Sequence, residues 1–504
     1  MKKILWFRHD LRIEDNDAFN AACRDGEVLP IFIYDQGYWE LETSSSFHLN
    51  FTNQSLDELN QDLTKKYHTK IHVFYGDSVK ILNQLIDQHQ IQSIHTNQIF
   101  RNKYTLDLDR RCEDLFKEKH VTWHQSQQFG IQLENRKRNY WSSQWNNFIE
   151  FDPIQSEAKC KFIHINTPKI EKIKTHQIDG SNVQKGGRKE GLILLDKFLN
   201  DKLDNYLQNI SGPNNSDKYC SRLSPHLTYG TLSVKEIYKK LKDFKYKCEK
   251  QGLKYNKRGL SAFSSRLSWR CHFIQKLEDQ PSIENKCMHS SYEGMREKKS
   301  NTDKLKAWET GFTGFPFVDA CMRSLTYNGW ITFRMRAMLT SFASYDLWID
   351  WRESGYVLAR LFTDYEPGIH YSQLQMQSGV TGINNLRIYN PIKQSIEHDK
   401  EGEFIKKWVP ELKNVPSMFI HEPWKMSLEE QTKYSCILGN HYPLPIVDHK
   451  EAVRMARDKI SKVRKDDNYK AKSKNVYNKH GSRKKVKTVR PVRIKKTTDQ
   501  LVLI

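Results

Sequence analysis

KILWFRHDLRIEDNDAF (Lys3–Phe19) decides how the first third of the chain is read. Its first five residues are a short apolar run bounded by charge, which reads as a buried strand. Working outward, VLPIFIYD (Val28–Asp35), KIHVFYGD (Lys70–Asp77), SIHTN (Ser93–Asn97) and VTWHQ (Val121–Gln125) repeat the strand signal. Between them lie amphipathic stretches such as LNFTNQSLDELNQDLTKKY (Leu49–Tyr67) and SVKILNQLIDQHQ (Ser78–Gln90). Repeated strand–helix–strand units predict a doubly wound, Rossmann-like α/β domain over residues 1–134, with a parallel sheet between two helical layers. The run contains no GxGxxG, so a dinucleotide fingerprint of the usual kind is missing.

The pattern then changes. Residues 135–190 are polar with little periodicity and read as a surface connector. From Gly191 to Val447 apolar residues recur at helical spacing, as in LILLDKFLNDKLDNYL (Leu192–Leu207), LSAFSSRLSWRCHFIQKL (Leu260–Leu277) and FRMRAMLTSFASYDLWIDW (Phe333–Trp351). Strand signals are almost absent there, so residues 191–447 are expected to form a large all-α domain. Residues 448–504 are expected to be a basic, flexible tail; from 450 onward nineteen Lys/Arg stand against five Asp/Glu.

Composition narrows the function classes. The 504 residues are 38% hydrophobic and 12% aromatic, as a folded protein requires, and carry a net charge of +21. A cationic tail most often meets phosphate; SRKKVK (Ser482–Lys487) also resembles a nuclear-import patch. Nine scattered cysteines without a CxxC pair argue against a metal and for reduced thiols. No apolar run approaches the ~20 residues that span a bilayer. The opening apolar run is too short for a signal peptide, so a cytoplasmic protein is expected, or a nuclear one in a eukaryote.

Four clusters in the helical half carry chemistry. CSRLSPHLTYG (Cys220–Gly230) sets hydroxyls and Arg222 before a helix-opening Pro225, an arrangement suited to an anion and equally to an ordinary helix cap. In RLSWRCHF (Arg266–Phe273), Arg266, Trp269, Arg270 and Phe273 share one helix face, where cations interleave with aromatics. Such a face suits stacking on a base beside a phosphate, or core packing with snorkelling arginines. GWITFRMRAML (Gly329–Leu339) places Arg334 and Arg336 in an apolar helix, and a buried arginine needs a partner. DYEPGIHYSQLQMQSG (Asp364–Gly379) supplies acids at Asp364 and Glu366. An Arg336–Asp364 pair would satisfy both groups, as a cofactor clamp or as a purely structural bridge.

WFRHDLRIEDNDAF (Trp6–Phe19), SRLSPHL (Ser221–Leu227), TGFPFVDACMRSLTYNGW (Thr313–Trp330), IDWRESG (Ile349–Gly355) and RIYNPIKQSIEHDKEGEFIKKWVPEL (Arg387–Leu412) occur in order and at family-like spacing. In these segments, from residue 1 to about Leu412, the chain resembles DNA photolyases and cryptochromes. The resemblance implies FAD bent within the helical domain. Its diphosphate would lie near Cys220, Ser221, Arg222, Leu223 and Ser224, with Tyr206 as a further contact and Phe263 where relatives often carry Trp. Arg336 and Asp364 match the salt-bridged pair beside the isoalloxazine, Glu366 matches an acidic residue facing the cofactor, and His370 occupies the position next to the flavin N5. Histidine is unusual there and raises the expectation of a pH-sensitive flavin.

For activity, the resemblance implies a deoxyribodipyrimidine photo-lyase-like carbon–carbon lyase. In that family excited, reduced flavin passes one electron to a pyrimidine dimer flipped out of double-stranded, ultraviolet-damaged DNA, and the electron returns. Trp269, Arg270, Arg334 and Gln394 match DNA- and lesion-facing positions, Arg270 counting also among the expected cofactor-binding residues, and a monomer is expected. The chain departs from the pattern at Arg266, Phe333 and Met376, where cyclobutane-dimer photolyases have Glu, Asn and Trp. The histidine pair of (6-4) photolyases would fall at Phe333 and Ala337. Of the tryptophan chain for photoreduction only Trp351 remains, with Leu374 and Lys298 at the other two places; Tyr371, Trp348 or Trp330 are candidate substitutes. A folate or deazaflavin antenna would lie near Arg8, Asp10, Asn97, Tyr104 and Arg110. The competing readings are a cryptochrome-type photoreceptor without repair, signalling through its C-terminal extension, and a flavin-binding nucleic-acid protein without light chemistry.

Overall fold

Alternate residues of the first strand face opposite ways, and both faces are buried. In β1 (Lys2–Phe7) Leu5 and Phe7 join one core while Ile4 and Trp6 join another. The second strand, β2 (Glu27–Asp35), splits in the same manner, with Phe32 and Tyr34 against Ile31 and Ile33. Strands apolar on both sides require helices above and below. A computed structural model of the chain describes residues 1–133, 138–170, 172–297 and 302–481 and shows that arrangement. With β3 (His72–Gly76), β4 (Ser93–Asn97) and β5 (Thr122–Ser126), the parallel sheet runs in the order β3-β2-β1-β4-β5, and a two-residue β6 (Lys161–Phe162) pairs with the start of β2. Helices α1 (Asp17–Ala22) and α2 (Ser46–Tyr67) cover one face; α3 (Ser78–His89) and α4 (Lys103–Glu118) cover the other. The α/β fold class expected from periodicity is the one observed.

The rest of the chain is helical. Within the polar connector, α5 (Trp141–Glu150) buries Trp141, Trp145, Phe148 and Ile149 in the core of the helical half, so this stretch is not merely a surface wrap. The elements that matter for the site are α6 (Ser224–Thr228), α7 (Lys257–Asp279), α8 (Phe333–Ser341), α9 (Trp351–Leu361) and α10 (Pro367–Gln377). The expected flexible tail is corrected for most of its described length. Residues His449–Arg464 (α11) and Tyr469–His480 (α12) are helices. They bury Ala452, Ala456, Ile460, Val476 and His480, because apolar residues recur there every three or four positions among the lysines. His449 Nδ1 meets Asp346 at 2.5 Å, and the Tyr469 hydroxyl meets that of Tyr292 at 2.8 Å. Ser482–Lys487, the rest of the tail and Lys298 lie outside the described residues.

Two glycines fix how the parts approach each other. Gly230 has φ +67°, and a Cβ there would sit 2.3 Å from the His9 carbonyl oxygen. Only glycine lets the loop after β1 press against the end of α6, where Arg12 Nη1 donates to the Gly230 carbonyl at 2.9 Å. Gly368, in the first turn of α10, would place a Cβ 2.6 Å from the Ile274 Cα, so α10 crosses α7 at backbone contact. No described helix is long and apolar enough to cross a membrane.

Candidate functional site

The bridge expected from spacing is present. Arg336 Nη1 and Nη2 donate to the two oxygens of Asp364 at 3.0 and 3.1 Å, a bidentate geometry. Thr332 caps α8, and Arg336 Nε donates to the Ile331 carbonyl at 2.9 Å, which fixes the guanidinium plane. Asp364 lies in the turn between α9 and α10, beside Ser224. Burial alone would raise its pKa, but Arg336, the Ser224 hydroxyl and Arg222 outweigh burial and hold the carboxyl below its ordinary value. Arg222 has φ 57°. It packs over the Trp330 ring at 4.2 Å, bonds Asp217 at 2.5 Å and is gripped by Gln184, whose amide donates to the Arg222 carbonyl at 2.7 Å. The Cys220–Ser224 segment is thus organised by one arginine. The helix cap there is the backbone of Leu223, without a side-chain bond, and Ser224 opens α6.

Glu366 precedes Pro367, the first residue of α10, and its side chain does not cap its own helix. The carboxylate instead takes a 2.7 Å bond from Arg270 Nη2, which also donates to the Leu227 carbonyl at 3.0 Å. Arg270 is 7% exposed, so it does not lie on the outer face with Arg266 and Trp269 as the helical spacing suggests. The difference arises because Glu366 draws the guanidinium inward across the α7–α10 crossing. Arg101, which sequence reading did not single out, reaches the same carboxylate from the α/β domain at 3.7 Å and holds the Tyr38 hydroxyl at 2.9 Å.

Four polar residues, Glu366, His370, Gln373 and Gln377, fall at i, i+4, i+7 and i+11 and make one stripe along α10. Glu366 Oε1, Arg270 Nη1, Gln373 Oε1 and both amide atoms of Gln377 are buried with no hydrogen-bond partner among the described residues. Buried polar atoms are normally paired. A stripe of unspent donors and acceptors beside a bidentate Arg–Asp pair fits a large, polar, anionic cofactor such as a flavin dinucleotide. His370 Nε2 donates to the Gly355 carbonyl at 3.0 Å, leaving Nδ1 as an acceptor. Burial pushes its pKa down to about 3, so the ring stays neutral near pH 7.

Several other candidates are packed rather than open. Tyr206 and Phe263 are each 5% exposed and share an aromatic core with Phe198; Cys220 and Leu223 belong to the same cluster. Ser221 is half-buried. On the outer side of α7, Arg266 is exposed and its guanidinium lies 5.8 Å from the Trp269 ring, while Lys276 lies 4.8 Å from that of Phe273. Trp269 and Phe273 are half-buried and meet edge to face at 6.2 Å. Phe333 is 39% exposed, and Arg334 and Met376 are half-buried. Gln394, matched to a DNA- or lesion-facing position, is 7% exposed, and its amide donates to Glu397 at 3.2 Å.

Trp351 is 1% exposed and donates to Cys287 Sγ at 3.4 Å. Its ring is 6.4 Å from Tyr371, which is 5.2 Å from His370; Leu374 is buried beside them. An unbroken run of aromatic rings therefore links Trp351 to the α10 stripe. Trp348 lies apart, between Arg296 and Lys459.

In the α/β domain a cavity of about 320 Å³ opens between Gln36, Gly37, Glu40, Tyr104, Asp107 and Arg111. Of the five residues expected near an antenna, Tyr104 lines it. Arg8 is bound by Asp109 at 2.5 Å, Asp10 and Asn97 bond each other at 2.7 Å, and Arg110 is exposed and paired with Asp107.

Residues 263–462 match the family model described as the FAD binding domain of DNA photolyase, and residues 3–129 match the model described as DNA photolyase. The chain is similar to a deoxyribodipyrimidine photo-lyase of Alkalihalophilus pseudofirmus, 35% identical over 274 residues, about half of each chain at 54%. It is similar to Cryptochrome-1 of Drosophila melanogaster, 26% identical over 90% of this chain and 92% of that one. Among solved structures, a bacterial class III photolyase from Agrobacterium tumefaciens superposes with a TM-score of 0.78 at 25% identity, covering 92% of this chain and 98% of the other.

Proposed function

This chain belongs to the DNA photolyase and cryptochrome family, and on that footing we propose that it is an FAD-dependent, blue-light photolyase acting on pyrimidine dimers in ultraviolet-damaged DNA. The observation that carries this reading is the α10 stripe of unspent polar atoms beside the Arg336–Asp364 pair. Arg336, Asp364, Arg222 and Ser224 would hold the dinucleotide, and Glu366, fixed between Arg270 and Arg101, would orient it from the α10 end. The bound, reduced flavin would supply the light-driven one-electron chemistry at the dimer. His370, neutral and donating to Gly355, would offer its Nδ1 acceptor to the cofactor. Arg266, Trp269 and Phe273 would receive DNA, the indole stacking on a flipped base while Arg266 meets phosphate. Phe333 and Met376 would close the pocket with apolar surface, which makes lesion contacts at those two places less polar than an Asn–Trp pair would. The cavity at Tyr104 and Arg111 would take an antenna.

The signalling alternative draws on one observation. Helices α11 and α12 dock on the segment carrying His289–Tyr292, whose neighbour Cys287 touches Trp351. Illuminating pre-reduced protein with cyclobutane-dimer and (6-4) substrates, and measuring lesion loss against a dark control, separates the two. Repair of neither lesion, with light-dependent proteolysis of α11–α12, would replace the enzyme reading with the receptor reading.

A further inference from the structure

We propose that Lys276, His272 and His480, together with Arg138, form a phosphate-binding site at the C-terminal end of α7, separate from the Arg336–Asp364 cofactor site.

Three segments of the chain bring these groups together. His272 and Lys276 sit one turn apart on α7, so their side chains are neighbours on the helix surface. Arg138, from the turn before α5, brings Nη2 to His272 Nε2 at 3.0 Å and packs over the Trp141 ring at 5.7 Å. From the end of α12, His480 Nε2 donates to Gln280 Oε1 at 2.9 Å, and Gln280 caps the C-terminus of α7.

The cluster gathers positive charge and leaves nitrogen atoms unspent. Lys276 Nζ lies 4.8 Å from the Phe273 ring and makes no hydrogen bond or ion pair among the described residues. Burial, and after it positive neighbours alone, push Lys276 down to about 8, His480 to about 3 and His272 to about 2; Arg138 acts on all three, and Lys276 on both histidines. Both imidazoles are therefore neutral near pH 7, while Lys276 and Arg138 keep their charge. A guanidinium only donates, so His272 Nε2 accepts from Arg138 and the ring proton sits on Nδ1. That Nδ1–H is buried without a partner among the described residues, and so is His480 Nδ1. Buried polar atoms are normally paired. A phosphate answers the whole cluster, because its oxygens point several ways and the donors arrive from three segments. It would accept from Lys276 Nζ and from His272 Nδ1, and its charge would relieve the repulsion and favour proton uptake at His480.

Two sources carry that chemistry. Lys276 stands one turn beyond Phe273, at the end of the row Arg266, Trp269, Phe273. On the DNA reading proposed above, the ligand is a phosphate of the duplex backbone. Without that reading, it is free phosphate.

The test compares the flavin-loaded chain with its Lys276→Met variant, which removes the charge and keeps an apolar stem. Inorganic phosphate is titrated by calorimetry at constant ionic strength, and intact and damaged duplexes are titrated over a salt series. The variant should bind inorganic phosphate about tenfold or more weakly. Its slope of log K against log[salt] for duplex should be shallower by about 0.9, one neutralised phosphate. Weaker phosphate binding with an unchanged slope supports the site with free phosphate as its ligand. A shallower slope, with inorganic phosphate binding neither chain, supports it with the backbone as its ligand. Equal phosphate binding and equal slopes overturn it. In phosphate-free buffer Lys276→Met should not lower Tm, because it removes a charge that lacks an anionic partner; a fall of several degrees also overturns the site. If the unaltered chain binds damaged and intact duplex alike, the repair reading fails, and the phosphate comparison still decides the site.

Discussion

Two buried polar clusters in this protein look alike in composition and differ in what is left over. At the C-terminal edge of the sheet, Asp10 accepts from the Arg8 amide at 2.6 Å and from Asn97 Nδ2 at 2.7 Å. Asn97 also donates to Asn16 at 2.7 Å and accepts from the Ala18 amide at 3.3 Å. Those side chains spend their hydrogen bonds on one another. On α10, Gln373 and Gln377 keep buried atoms without a hydrogen-bond partner among the described residues, and Glu366 Oε1 is approached by Arg101 only to 3.7 Å. Leaving a buried polar atom unpaired costs about 1–3 kcal/mol, so a fold retains several together where a ligand completes them. The first cluster is architecture, and the second has the character of a site.

That contrast can be broken most sharply at Arg336. Arg336→Ala takes the bidentate partner from buried Asp364 and leaves it only Arg222 and the Ser224 hydroxyl, a loss of up to about 3–5 kcal/mol, and should give protein that purifies without yellow colour. Full flavin absorbance in the visible would remove the pair from the site. A pH series comes next in size. Burial pushes His226 and His370 down to about 3 and His272 down to about 2. Each folded pKa lies below the unfolded value, so unfolded chain binds more protons as pH falls, and stability is complete above about pH 6.5 and lost below it. Each such histidine contributes up to about 1.4 kcal/mol per pH unit in that window. Asp364, held below its ordinary value, loses its contribution only at still lower pH. Tm should therefore fall between about pH 6.5 and 4.5, with flavin leaving only as the fold melts; a flat Tm, or flavin released from folded protein, would contradict this assignment.

Smaller effects test the architectural side. Asn97→Ala should lower stability by about 1–3 kcal/mol, read from the urea midpoint, and leave flavin occupancy per folded molecule unchanged. Loss of colour at full folding would erase the distinction between the clusters. Trp351→Phe should slow photoreduction with little change in folded fraction, since aromatic packing is kept; Tyr371→Phe should slow it as well. Unchanged kinetics in both would show that electrons travel outside this run of rings.

Much of the fold was legible in the chain. Five strand segments were readable because they are short, largely continuous runs bounded by charge, and the helical half because its apolar residues recur every three or four positions. The Arg336–Asp364 pair was readable too, as a cation and an anion set into apolar helices need each other. Arg270 lies deeper than its place on the helix face suggested, because helical spacing gives a side chain's azimuth but not the neighbour, here Glu366, that claims it. Arg101 carried no local signal, since its partner Glu366 lies in another domain. Helices α11 and α12 were hidden beneath a lysine count that outweighed four apolar residues and a histidine.

Sequence by itself determined the two-part architecture and which helices carry charge inside them, because periodicity and burial of apolar surface act locally along the chain. Only the tertiary structure decided which polar atoms remain unspent, because that depends on residues hundreds of positions apart arriving within hydrogen-bond reach or failing to arrive.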